Sequence, residues 1–599
     1  MYLKHAVCAA VLLLPLASTG LTAQKLPQAA TAPASVEERR KTLDGLFRTY
    51  WDDVLSHDPE YASTLGDKRW NAKLTDRSIK AENDRVARRQ ELLLQLAAID
   101  PAGLSEQEAL SRELLMRQCL EAMEAAPFKE WEMPVTQMGG FSADLPDLAR
   151  QLRFTSAKDY DDWIARLHAV PAVFDQATQN MALGISDKRV PPRYLLEKLL
   201  AQVKTLSTQK PEETPFATPL KSFPASVPTA EQERIRAAML EAIEKEVQPA
   251  YRHFARFLEV SYVPAGRTEP GIWALPDGDA YYKFLIARFT TTKLTAAQIH
   301  QIGVDEVARD EAAMTEIAHQ LGYKDLASLR AAIKSDPKLR PASPEALLNA
   351  YKQNVAAMQA KLPTLFNHLP KAQLEVATVP DFRAAQSAAA YYEQGTPDFS
   401  RPGRITVNLW NATERSLASV EAISYHEGVP GHHMQISVAQ ELTGIPSFRQ
   451  QYGNTAFVEG WALYAEHLGK DAGFYKNPYS DYGRLEADIW RAIRLVVDTG
   501  VHSQHWSRQQ MVDYFHAHSS IDETNIQSEV DRYIAWPGQA LGYKVGQLKI
   551  LELRERAQKA LGTSFDLRAF NDEVIGAGAL PMDMLEARID GWIAAQGKH

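Results

Sequence analysis

The 599-residue chain is long enough for one large domain or several ordinary ones, and its 45% hydrophobic and 24% charged residues are the balance of a soluble globular protein. A formal net charge of −9 without any long Lys/Arg run excludes a nucleic-acid surface of the usual basic kind. Mild acidity keeps a protein soluble and says nothing about its substrate.

The chain opens on a targeting pattern. Lys4 and His5 precede the apolar run 6–16, and small residues follow as far as Leu21-Thr22-Ala23-Gln24. This is the layout of a secretory signal peptide over 1–23, cut near Ala23, and it implies a periplasmic or secreted protein. The rival is a short membrane anchor, but a span requires roughly 20 apolar residues. Cys8 stands too early to be a lipid-attachment cysteine and leaves with the signal. Cys119 is then alone, so the mature chain is expected to lack both an internal disulfide and a membrane span.

Helical periodicity follows almost everywhere. Residues 36–55, 79–98, 106–125, 159–181, 230–260 and 295–321 place apolar side chains three and four apart among Ala, Leu, Glu, Gln, Lys and Arg, which lose little freedom in a helix. The expected fold is all-α with a small β element. The segment 137–141, Gln-Met-Gly-Gly-Phe, reads as a cleft loop or an ordinary turn. Residues 207–229 carry Pro211, Pro215, Pro219, Pro224 and Pro228, and proline breaks the helical ladder. They read as a linker dividing an N-terminal helical lobe, 24–206, from a C-terminal catalytic lobe, 230–599. Residues 395–411 interrupt the pattern again with Pro397, Pro402 and Gly403. The run Arg404-Ile405-Thr406-Val407-Asn408-Leu409 is a candidate strand, expected to bind an extended peptide as an added strand.

Just beyond it lies His426-Glu427-Gly428-Val429-Pro430-Gly431-His432-His433. In the common zinc-peptidase helix two His lie four apart, and a Glu beside the first is the general base. Here the spacing is six, a rise of about 9 Å in a regular helix, too far for two ligands each about 2 Å from one ion. Pro430 breaks the ladder, and Gly428 and Gly431 tolerate unusual backbone angles. A bulge that extrudes two residues would make His432 the fourth-position ligand, with His433 as competitor. Glu459, in Phe457-Val458-Glu459-Gly460-Trp461, is the candidate third ligand. Glu466, two turns further on, is a partner that orients a ligand His, or the ligand itself. One Zn2+ on His426, His432 and Glu459 with Glu427 as base is the site these residues describe.

The runs 425–435 and 457–466, with Leu65-Gly66-Asp67 near the start and Gly578-Ala579-Leu580-Pro581 near the end, resemble the bacterial "domain of unknown function 885" family, itself similar to gluzincin-type metallopeptidases of the His-Glu-x-x-His superfamily. The resemblance implies a helical shell, here as two lobes around a deep central cleft, and no particular substrate. By analogy with helical gluzincins, His502 and Tyr543 are candidates to hold the developing oxyanion. The alternatives are a structural His502 paired with Asp498 and a Tyr543 that is simply buried. Arg491 and Arg494 pair either with a substrate carboxylate or with internal acids.

The leading expectation is a zinc peptidase acting on short peptides. A zinc amidase on non-peptide amides, or a non-catalytic helical scaffold with a structural metal, are the rivals. Exo- or endo-cleavage and oligomeric state stay open, and so does the choice of zinc over manganese or cobalt.

Overall fold

The computed structural model describes residues 34–379, 384, 388–396, 399 and 401–597. The predicted signal peptide and Pro397 lie outside the described residues. Helix accounts for 71% of the structure and strand for 4%, so the protein is all-α, as its periodicity predicts.

The helices that position the site are, in chain order, α1 Val36–His57, α2 Ile79–Ala97, α3 Glu106–Ala125, α4 Ala157–Ser186, α5 Arg193–Thr208, α6 Thr229–Ala242, α7 Gln248–Phe257, α8 Gly278–Thr290 and α9 Ala296–Gln320. After a small sheet follow α10 Val420–Glu427, α11 His432–Glu441, α12 Thr455–Asp471, α13 Pro478–Ser503, α14 Glu523–Ala535 and α15 Leu541–Leu561. Several start where the sequence supplies reciprocal caps. Ser35 with Glu38, Ser105 with Glu108 and Thr295 with Gln298 each pair side chain to backbone in both directions, which satisfies amide donors that the helix itself cannot.

The two expected lobes do not divide where the prolines fall. Residues 207–229 are not an exposed linker: Phe216, Ala217, Leu220 and Val227 are buried in one core with Phe174 of α4, Val203 of α5 and Tyr251 of α7. That core therefore spans the expected boundary. The first helices belong elsewhere. Leu43 of α1, Leu96 of α2 and Leu115 of α3 share a core with Tyr425, Trp461 and Ile550. The prolines end helices locally, but apolar side chains between them still find a common interior, and burial rather than proline content sets the boundary. Segment 137–141 is an ordinary hairpin, Val135 and Thr136 pairing with Gly140 and Gly139.

The sheet has three strands, β1 Leu374–Thr378, β2 Ala390–Glu393 and β3 Gly403–Val407. β3 is the predicted strand, and it lies in the middle, parallel to β1 and antiparallel to β2. Its main-chain groups are used on both sides, so it cannot take the added peptide strand expected of it. The edges of the sheet are β1 and β2. No helix among the described residues is long and apolar enough to cross a membrane.

Candidate metal centre

The motif helix breaks where its glycines and proline stand. α10 ends at Glu427 and α11 begins at His432. Across the break the Gly431 N–H donates to Tyr425 O (3.0 Å), six residues back instead of four, and the His433 N–H donates to Gly428 O (3.1 Å). Two residues are thus looped out. The Trp461 indole N–H donates to Pro430 O (2.9 Å) and ties the loop to α12. A Cβ on Gly431 would stand 1.9 Å from His426 O, so no other residue fits there without moving the backbone.

The consequence is that the six-residue spacing acts as four. The His426 and His432 rings stand face to edge, 4.9 Å apart. Glu459 Oε2 lies 3.6 Å from each of their Nε2 atoms, and the three ligand atoms lie within 4.8 Å of one another. Donors each about 2 Å from one tetrahedral ion are about 3.3 Å apart, so the residues present fit a zinc ion with a small inward adjustment. His433 points elsewhere. Its ring faces Tyr392 Oη (3.1 Å) on one side and Ala372 O (3.2 Å) on the other, which fastens α11 to the sheet.

α12 delivers Glu459 because its next residue is glycine. A Cβ on Gly460 would stand 2.5 Å from the Gly546 carbonyl carbon, and one on Gly546 would stand 1.8 Å from Ala456 O. α12 and α15 therefore cross backbone to backbone, and the stretch of α12 that follows, Trp461, Ala462, Leu463, Tyr464 and Ala465, is apolar and buried. Glu466, on the same helix, accepts from His426 Nδ1 at 2.8 Å and so leaves Nε2 to face Glu459. Behind His432, the Gln435 amide nitrogen lies 3.0 Å from Nδ1 and donates to Val458 O (2.7 Å).

Glu427 is beside the trio and not in it. Its carboxylate accepts the Tyr392 N–H of β2 at 2.9 Å. Burial pushes its pKa up to about 7, against the pull of His426. Burial alone would lower His426, but the Glu459 and Glu466 carboxylates hold it up to about 9. Burial takes His432 down to about 4. Glu459, which burial would raise, is held at about 2 by the two imidazoles.

A cavity of about 700 Å³ opens onto Glu459 and Val458, with walls formed by Tyr50 and Trp51 of α1, Gln118 of α3 and Arg288 of α8. Tyr543 is nearly buried, and its hydroxyl accepts from Arg532 (3.1 Å). Arg494 lies over its ring and pairs with Glu529 (3.0 Å), while Arg491 forms no ion pair among the described residues. The charge of Arg491 reaches Glu427 and His432, and that of Arg494 reaches Glu459.

His502 is not at this centre. Its Nδ1 accepts from the Ile272 N–H and its Nε2 donates to Tyr533 O, both at 3.0 Å, so both nitrogens are engaged. Nor does it pair with Asp498, which accepts from the Tyr282 hydroxyl and the Gly538 N–H. Tyr392 and the cavity walls escaped sequence reasoning: the former acts through its backbone, and the latter come from helices hundreds of residues apart. Gln435 was readable, three residues after His432 on the same helix face.

Residues 59–589 match the family described as bacterial protein of unknown function (DUF885), and the chain belongs to that family. A solved structure from Colwellia psychrerythraea, of a protein provisionally named a lipoprotein, is similar at a TM-score of 0.88 and 27% identity, covering 93% of this chain and 99% of the other. A second, from Shewanella oneidensis, of a protein provisionally named a lipoprotein of unknown function, has a TM-score of 0.72 at 16% identity, covers 91% of this chain and 99% of the other, and shares the fold. No curated protein matches.

Proposed function

We propose that this family member is a zinc-dependent peptidase that hydrolyses short peptides. The observation that carries the reading is the convergence of His426, His432 and Glu459, with Glu427 held just outside the trio. A structural site, closed by four protein ligands, has no use for that extra carboxylate. A bound zinc ion supplies Lewis acidity and lowers the pKa of water in its open position.

The chain's own groups then divide the work. Glu427, steadied by the Tyr392 amide, takes a proton from the attacking water as its oxygen bonds to the carbonyl carbon. The C–N bond breaks, and Glu427 returns the proton to the leaving amine. The Tyr543 hydroxyl accepts from Arg532 and can turn its own proton toward the charge developing on the carbonyl oxygen. The cavity beside Glu459 receives part of the substrate, and its helical walls favour short, flexible chains over folded proteins. The signal-like N-terminus and the provisional lipoprotein names of the two structural neighbours support a place outside the cytoplasm.

The test is elemental analysis of the purified protein joined to a digest of a mixed peptide pool read by mass spectrometry. One equivalent of zinc and cleavage that a chelator abolishes are expected. Protein that neither holds nor responds to a divalent metal would sink the proposal.

A further inference from the structure

Beside the candidate metal centre, α13 and α14 bring three guanidinium groups close together. Arg491 and Arg494 lie three residues apart on one face of α13, and Arg532 of α14 reaches the same place through Tyr543. Among the described residues these three guanidinium groups share one carboxylate, Glu529, which pairs with Arg494 at 3.0 Å and Arg532 at 3.3 Å. Arg491 has no acid. Its Nη1 donates to Ala487 O of its own helix (3.1 Å), and its guanidinium lies 5.3 Å from the centre of the Trp490 ring. Arg491 Nε, Arg494 Nη1 and Arg532 Nε are buried without a hydrogen-bond partner.

Buried charged donors left unmade cost stability, so their retention points to a ligand or a field. The nearby acids are Glu427 and Glu459, and a dication on the trio would take up their charge. Arg491 and Arg494 would then be left in excess beside it. Guanidinium groups match carboxylates in shape and charge.

We infer that Arg491, with Arg494 and Arg532 beside it, receives the free C-terminal carboxylate of the substrate, so that the enzyme cuts near the C-terminus of short peptides. The inference rests on the peptidase reading and deepens it. The anchor sets which bond meets Glu427. Chains lacking a free carboxylate in reach lose it, and internal bonds of long chains cannot bring one to it.

The experiment uses the full mature chain carrying Glu427→Gln, to stop turnover, with one equivalent of Zn2+. Calorimetry compares alanyl-phenylalanine with its C-terminal amide. The free acid should bind at least tenfold more tightly. Arg491→Gln should erase that preference and Arg491→Lys keep part of it. A carboxylate that merely bound the metal would keep its preference in Arg491→Gln, and that result would overturn the proposal, as would equal binding of acid and amide. If Arg491→Gln does not fold, the acid–amide pair on the Arg491-containing chain still decides. With the unmodified enzyme, mass spectrometry should show a peptide shortened from its C-terminus and its amide cut at least tenfold more slowly. Equal cleavage of the two overturns the anchor and leaves the peptidase reading standing. No cleavage of either, with the acid preference intact in calorimetry, removes the peptidase reading and leaves the anion site.

Discussion

His426 and His502 are both buried histidines, each with a carboxylate on a neighbouring turn or helix, and the protein treats them in opposite ways. At His426 one nitrogen goes to Glu466 at 2.8 Å, and the other faces Glu459 at 3.6 Å across a space shared with His432. At His502 one nitrogen takes a backbone amide and the other gives to a backbone carbonyl, while Asp498 is occupied by Tyr282 and Gly538. A buried imidazole with both nitrogens paired to backbone belongs to the scaffold, because each pairing removes an unmet group that would otherwise cost about 1–3 kcal/mol. An imidazole whose partner fixes one nitrogen and leaves the other converging on further ligand atoms has the arrangement that could hold a cation. Residue type and burial do not separate the two cases; the second nitrogen does.

The largest effects should come from the convergent atoms. His432→Ala or Glu459→Ala should remove stoichiometric zinc and bring hydrolysis below detection, as read by elemental analysis and peptide assay. His433→Ala should retain the metal, because its ring is spent on Tyr392 and Ala372. A His433→Ala protein that is folded and metal-free would reverse the assignment of the two. Glu427→Gln separates chemistry from binding. Hydrolysis should fall by about 10²–10⁴-fold, the usual weight of a general base, with zinc still at one equivalent. Loss of zinc along with activity would make Glu427 a ligand.

How far the site was readable in the chain depends on distance along it. The need for a break at Gly428-Val429-Pro430-Gly431 followed from helix rise, since a six-residue interval cannot present two ligands unless two residues leave the ladder, whereas the choice of His432 over His433 did not. Glu459 stood out as a carboxylate directly ahead of glycine in a mainly apolar stretch, and the crossing at Gly460 and Gly546 gives the reason for that glycine. The helices were legible because their caps and periodicity are local. The lobe boundary was not. Prolines in 207–229 report local breaks, whereas the burial of Phe216 against α4 and α7 is a long-range fact. β3 was legible as a strand and illegible as the middle one, because its neighbours are set by pairing partners that its own residues do not encode. His502 was misplaced for the same reason: both its partners are backbone groups of distant segments.

A smaller effect sharpens the role of Glu466. Changing Glu466→Gln keeps the shape and weakens the acceptor on His426 Nδ1, so zinc affinity should drop about 10–100-fold, the usual cost of losing an orienting partner. Competition with a chromogenic chelator measures it, and the protein should refill at excess zinc. A variant that cannot be refilled would mean that Glu466 is itself a ligand.

His502 gives the smallest effect on function and the clearest contrast. His502→Ala should leave zinc content and the pH-independent turnover unchanged and lower stability by about 2–4 kcal/mol, through two buried backbone groups left unpaired. Its pH signature has a definite sign. Burial pushes the folded His502 down to about 3, whereas an unfolded chain titrates near 6.5. As pH falls from about 6.5 toward about 3 the unfolded state takes up a proton that the folded state refuses, and stability declines by about 1.4 kcal/mol per unit. Asp498 opposes this: burial raises it to about 7 when folded, so its contribution is full below the unfolded value near 4 and is lost as pH rises toward 7. Denaturant titrations between pH 4 and 6.5 should therefore show a shallower acid decline in His502→Ala than in the parent. An unchanged slope would mean that His502 is protonated in the folded protein, and a loss of zinc would place it at the metal centre after all.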